Sequence, residues 1–125
     1  ACTLFVPIVE EGWSDTEVAR LTAERYLSNL KEQEVDTVVL GCTHYPLLEQ
    51  TIAQVMGPDV ALINPAVSTV RQVREILTRK NMLRESSTEP ETSFYVSDFG
   101  QSFQRIGSRF LNRDIVAQCI DIEKF

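Results

Sequence analysis

"DTVVLGCTHYPLLEQTIAQVMG", residues 36–57, joins a continuous apolar run to a helical pattern through a cysteine, a threonine and a histidine. The first part, "DTVVLGC", reads as a strand buried on both faces, the kind found in parallel sheets. Pro46 then suits the first turn of a helix, and Gly57 supplies a positive-φ stop. A strand feeding a helix in this way is half of a βαβ unit, so the pattern on either side decides the fold class.

Upstream, "TLFVPIV" is a short apolar run rich in β-branched residues, read as a strand ending near Glu10. "SDTEVARLTAERYLSNLKEQ" follows as a helix, with Ser14 and Glu17 spaced as a capping box. Ala19, Ala23, Tyr26, Leu27 and Leu30 fall on one of its faces. Downstream come "VALIN" as a strand and "PAVSTVRQVREILTRKN" as a helix with Val70, Val73 and Leu77 in one stripe. A polar, proline-containing loop, "MLRESSTEPETS", leads to the strand "FYVS". The helix "GQSFQRIGSRFL", expected to be buried through Phe103, Ile106 and Phe110, precedes a last strand, "IVAQCIDI". The expected order is β-α-β-α-β-α-β-α-β, an α/β protein of three layers built on parallel strands. Asn64-Pro65 is the candidate domain boundary, because proline holds the preceding residue extended.

The chain has 125 residues, 43% of them hydrophobic, enough for a core. A net charge of -6 and the lack of any Lys/Arg cluster argue against nucleic acid or an anionic membrane surface as partner. "RQVREILTRK" is the most basic stretch, and Glu75 interrupts it, so it reads as a solvated helix face. No apolar stretch approaches the length that crosses a bilayer. Cys2, Cys42 and Cys119 are odd in number and widely spaced, which suits reduced thiols and a cytoplasmic location. The absence of an initial methionine, and a start inside an apparent strand, are expected of a fragment of something longer.

Cys42 stands where ligands bind in open α/β sheets, beyond the carboxyl end of a strand, where the positive end of a following helix dipole favours a thiolate. Thr43 adds a hydroxyl and an amide able to hold a carboxylate. His44, the sole histidine, can exchange a proton with whatever Cys42 acts on. A buried structural cysteine is the bland alternative. Metal binding is disfavoured, since C-x-H supplies only two ligands and no second pair stands at a recognisable spacing. A thiol hydrolase is disfavoured by the lack of an oxyanion-hole glycine pattern or an orienting third residue.

"GCTHYPLL", with "FVPIVEEG" upstream and "FYVSDFGQSFQRIGSRFL" downstream, resembles the C-terminal half of the glutamate racemases of the aspartate/glutamate racemase family. The resemblance implies a cofactor-independent interconversion of L- and D-glutamate for peptidoglycan synthesis, in which two cysteines on opposite faces of the substrate exchange its α-proton. It implies that Cys42 is the second catalytic cysteine, His44 its acid/base partner, Glu10 an acidic residue on the same side, and Thr43 a substrate contact. Histidine after Cys-Thr favours glutamate over aspartate enzymes.

The family's first cysteine has no counterpart, since Cys2 and Cys119 fall at positions expected to be structural. An inert fragment, or a binding module with the same fold, is therefore the alternative of a different class. The resemblance also implies that residues 1–64 complete a second α/β domain and residues 65–125 return to the first. The N-terminal half of the same enzyme is thus an expected partner, with a homodimer as a further possible assembly and exposed sheet edges where strands are missing.

Overall fold

The structure is a computed structural model that describes residues 1–98 and 100–124. Phe99, inside the "FYVSDFG" motif, and Phe125 lie outside the described residues. Contacts divide the chain into two compact units, Ala1–Arg84 and the segment from Glu85 onward. The division falls at the start of the polar loop. The Asn64-Pro65 step sits between a strand and a helix of the first unit, where Asn64 Oδ1 accepts from Ala66 N at 3.1 Å and caps the helix.

In the first unit, the opening segment forms α1 (Phe5–Glu10), not the expected strand. Phe5, Ile8 and Val9 repeat at helical spacing and are all buried. Pro7 is tolerated because the first turn needs no amide hydrogen from it. A seven-residue apolar run carries too little periodicity to separate the two structures, which is why the sequence reading failed here.

α2 (Glu17–Glu32) is capped by Thr16, not Ser14: Thr16 Oγ1 accepts from Ala19 N at 3.4 Å and donates to the Trp13 carbonyl at 2.7 Å. Ser14 is instead buried. Its carbonyl accepts from Thr51 Oγ1 at 2.7 Å, and its hydroxyl has no hydrogen-bond partner among the described residues. On the outer face Arg20 pairs with Glu17 and Glu24 and holds the Glu17 carboxyl below its ordinary value.

β1 (Thr37–Val39) and β2 (Ala61–Ile63) pair in parallel, Thr37 opposite Ala61 and Val39 opposite Ile63. The crossover between them contains a 3-10 turn, Tyr45–Leu48, and then α3 (Glu49–Met56), which ends at Gly57 with φ +96. Leu27 of α2 and Ile52, Val55 and Met56 of α3 share the core with Phe5, Leu40 and Leu48. Each such side chain contributes about 1.5–3 kcal/mol by leaving water. α4 (Pro65–Arg79) has no buried residue; Val67, Val70, Val73 and Ile76 form an exposed apolar stripe.

In the second unit, β3 (Phe94–Val96) pairs in parallel with β4 (Ala117–Cys119) through the crossover helix α5 (Gly100–Leu111). Phe103 and Phe110 remain 40% and 44% exposed and Ile106 half-buried, so the expected burial of this face does not occur within the unit. Two strands of three residues offer a helix too narrow a surface to cover it. Gln104 Nε2 donates to the Ala117 carbonyl at 3.2 Å, and Ser108 Oγ accepts from Ile115 N at 3.1 Å.

Gly107 lies where a Cβ would stand 2.5 Å from Ile115 Cδ1 and 3.5 Å from its Cγ1. Alanine displaces only the far methyl of Ile115 and gains about 1 kcal/mol of helix propensity, so Gly107→Ala is expected to be nearly neutral. Gly107→Leu wedges the buried Ile115 aside at a cost of about 1–3 kcal/mol. Thermal unfolding of the two variants checks this; equal behaviour would remove the packing argument.

Four of the five expected strands are present, shorter than read, and both strand pairs are parallel. The fold is α/β. No helix among the described residues is long and apolar enough to cross a membrane.

Candidate active site

Leu40 closes the apolar run, donating its amide to the Ile63 carbonyl at 2.9 Å, and the chain then turns away from the sheet at Gly41. The turn is closed by Tyr45 N donating to the Cys42 carbonyl at 3.2 Å and Leu47 N to the His44 carbonyl at 3.0 Å. Cys42 therefore lies beyond the carboxyl end of β1, as expected, but a 3-10 turn separates it from α3, whose first residue is Glu49. An α-helix N-terminus does not follow the thiol directly.

Cys42 and His44 are half-buried and Thr43 is exposed. The Thr43 hydroxyl lies 3.3 Å from His44 Nδ1, and Glu10 Oε1 lies 3.5 Å from His44 Nε2. Both ring nitrogens thus have an oxygen neighbour. Glu10 comes from the last residue of α1, so the folding of the first segment brings it to a turn that lies 34 positions later (44 − 10). The Glu10 side chain is 45% exposed and that of His44 24%, so the pair contributes only about 0–1 kcal/mol when His44 is protonated. Such a contact can orient a ring and accept a proton charge; it is too weak to anchor a helix. The four residues singled out in the sequence therefore lie in one unit, three of them consecutive and the fourth in contact with the third.

Around them the sequence reading gave no site role to an aromatic group. Phe5 meets Tyr26 edge-on at 5.4 Å and 83°, and Tyr45 at 5.4 Å and 88°. Tyr26 Oη accepts from Leu4 N at 3.2 Å, and Tyr45 Oη donates to the Cys2 carbonyl at 3.4 Å. The only signal available was the position of Tyr45 beside His44.

Of the other cysteines, Cys2 is half-buried against the core, while Cys119 is exposed at the end of β4, its thiol 3.7 Å from the Ser97 carbonyl. A buried structural role therefore does not hold for Cys119. Burial pushes the Cys2 thiol and the Tyr45 phenol up. In both the neutral form is the one the fold favours, so their contribution is complete below the unfolded values of about 8.5 and 10 and is lost as pH rises through the higher folded values. The urea midpoint is expected to fall between pH 8 and pH 10.5, and less so in Cys2→Ala. Iodoacetamide at pH 8 is expected to modify the exposed Cys119 before Cys2, which peptide mapping will show.

Residues 1–73 match the profile of the family described as Asp/Glu/Hydantoin racemase. The chain belongs to this racemase family. The chain is 48% identical to a glutamate racemase of Geobacter metallireducens, over 99% of its own length and 47% of the relative's, and 45% identical to one of Syntrophus aciditrophicus, over 92% and 43%. Among solved structures, the glutamate racemase of Francisella tularensis in complex with D-glutamate superimposes with a TM-score of 0.87 at 30% identity, over 99% of this chain and 47% of that one. The glutamate racemase of Thermus thermophilus in complex with beta-chloro-D-alanine gives 0.87 at 33%, over 100% and 48%. The chain spans about half the length of the relatives it matches.

Proposed function

We propose that this chain is the Cys42-bearing portion of a glutamate racemase and that Cys42 removes or returns the α-proton of glutamate on one face. The observation that carries the reading is that the turn bearing Cys42 also carries His44, two residues on, with Glu10 at the far ring nitrogen of that histidine. The α-hydrogen of an amino acid is a weak acid, so its removal needs a positioned base together with donors for the charge that develops on the carboxylate. The Cys42 thiolate takes the proton; a second thiol on the opposite face gives one to the carbanion, and the configuration inverts. His44 exchanges a proton with Cys42 or the substrate, Glu10 orients the imidazole, and the Thr43 hydroxyl and amide hold the carboxylate.

The D-glutamate bound by the Francisella tularensis relative supports glutamate as the substrate class. The second thiol comes from the N-terminal half of the enzyme. In this reading residues 1–64 belong to the second α/β domain, residues 65–125 return to the first, no metal or organic cofactor takes part, and the reaction supplies D-glutamate for peptidoglycan in the cytoplasm.

The test is α-deuterium uptake and optical rotation of L- and D-glutamate in deuterium oxide, with the chain alone and with the N-terminal half of the Geobacter metallireducens relative added. Exchange with inversion in the complemented sample is expected. Absence of exchange from a complex shown to assemble would overturn the reading in favour of an inert member of the fold.

A further inference from the structure

We propose that Phe5, Tyr26 and Tyr45 form a positioning cluster that fixes α1, and with it Glu10, against the turn bearing Cys42 and His44. The inference rests on the reading of Glu10 and His44 as site residues, and it assigns to three aromatic side chains the task of setting their separation.

α1 has six residues and no side-chain cap at Leu4, so it cannot hold itself in place. Its start is gripped twice. Tyr26 reaches from α2 and Tyr45 from the 3-10 turn, and each lays its ring edge-on to Phe5 while its hydroxyl bonds the backbone just ahead of the helix, at Leu4 N and at the Cys2 carbonyl. Thr3 Oγ1, 3.1 Å from Tyr26 Oη, extends the Tyr26 grip. Phe5 itself is 1% exposed, and edge-to-face rings of this kind have a preferred geometry that resists rotation. Because Tyr45 follows His44 directly, one element carries both the ring that locates α1 and the imidazole that meets its other end. Glu10 stands five positions on from Phe5, about 7.5 Å of helix, a lever short and stiff enough to transmit the position of its start to its end. The Glu10–His44 contact is then a consequence of the packing rather than its cause.

The chain has one histidine, so its imidazole signals are unambiguous, and a nuclear Overhauser cross-peak between the His44 ring and the Glu10 γ-protons reads the separation without any need for turnover. Tyr45→Leu and Phe5→Leu are expected to lose this cross-peak while the signals of the α2–α3 core persist; Tyr45→Phe, which keeps the ring, is expected to retain it. Glu10→Gln is expected to leave the Phe5–Tyr26 and Phe5–Tyr45 cross-peaks unchanged. Persistence of the His44–Glu10 cross-peak in Phe5→Leu, or loss of the ring cross-peaks in Glu10→Gln, would overturn the proposal. If Phe5→Leu and Tyr45→Leu unfold, the double variant Tyr26→Phe, Tyr45→Phe decides by the same cross-peak, which must weaken when both hydroxyl grips are removed. The exchange assay fails or succeeds separately, so a wrong reaction and a wrong positioning cluster give different results.

Discussion

Cys42→Ala is expected to lower solvent-deuterium uptake into glutamate by about 10²- to 10⁴-fold in the complemented enzyme, the range that a positioned general acid/base contributes. The size of the loss follows from the role of Cys42 as the proton carrier on its face; Cys2 is packed against the core, where burial pushes its thiol up. The fold should hardly notice, because the thiol is only half-buried and its backbone carbonyl, not its side chain, closes the turn. A variant that loses activity and keeps its unfolding midpoint therefore meets the expectation. A loss smaller than tenfold would mean that Cys42 is not the proton carrier. Cys42→Ser, which keeps the shape but not the acidity, is expected to resemble alanine.

Ile52→Ala tests the scaffold and not the chemistry. Ile52 is 1% exposed and stands on α3 where that helix meets α2. Removing its outer carbons leaves a cavity in the core cluster to which Leu27, Leu48 and Val55 also belong, at a cost of about 2–5 kcal/mol. That is a large share of the 5–15 kcal/mol typical of a whole domain. Urea unfolding of the first unit is expected to show an earlier midpoint with an unchanged slope; a shift worth less than about 1 kcal/mol would mean that the α2–α3 seam relaxes to fill the space.

Where chemistry and periodicity coincide, the sequence was legible. "DTVVLGCTHY" placed Cys42 beyond a parallel strand, and the contiguous Cys-Thr-His triplet needed no tertiary information to be seen together. α2, α4 and α5 follow from helical spacing over 12 to 16 residues, long enough for the period to show. "TLFVPIV" was not legible, because seven residues fit either period and the burial of Phe5, Ile8 and Val9, with Phe5 docked against two tyrosines, is a tertiary feature. The cap of α2 was misread for a related reason: Ser14 and Thr16 both offer hydroxyls, and the bond from Thr51 to the Ser14 carbonyl helps draw that residue into the core. The exposed face of α5 was expected to be buried, since an amphipathic pattern states which side a helix would bury but not what lies there. Glu10 was identified by resemblance alone; the structure adds its contact with His44.

The shortness of α1 has a bearing on time as well as on place. A six-residue helix opens locally at a free energy well below that of the packed pair α2 and α3, so its amides are expected to exchange with solvent before theirs. Each opening carries Glu10 away from the imidazole and leaves the turn of Cys42 intact. The lifetime of the assembled site is then governed by the least protected element that contributes to it, and amide exchange at Val9 and Glu10, compared with that at Leu27 and Ile52, will measure how long the two ends of the site stay together.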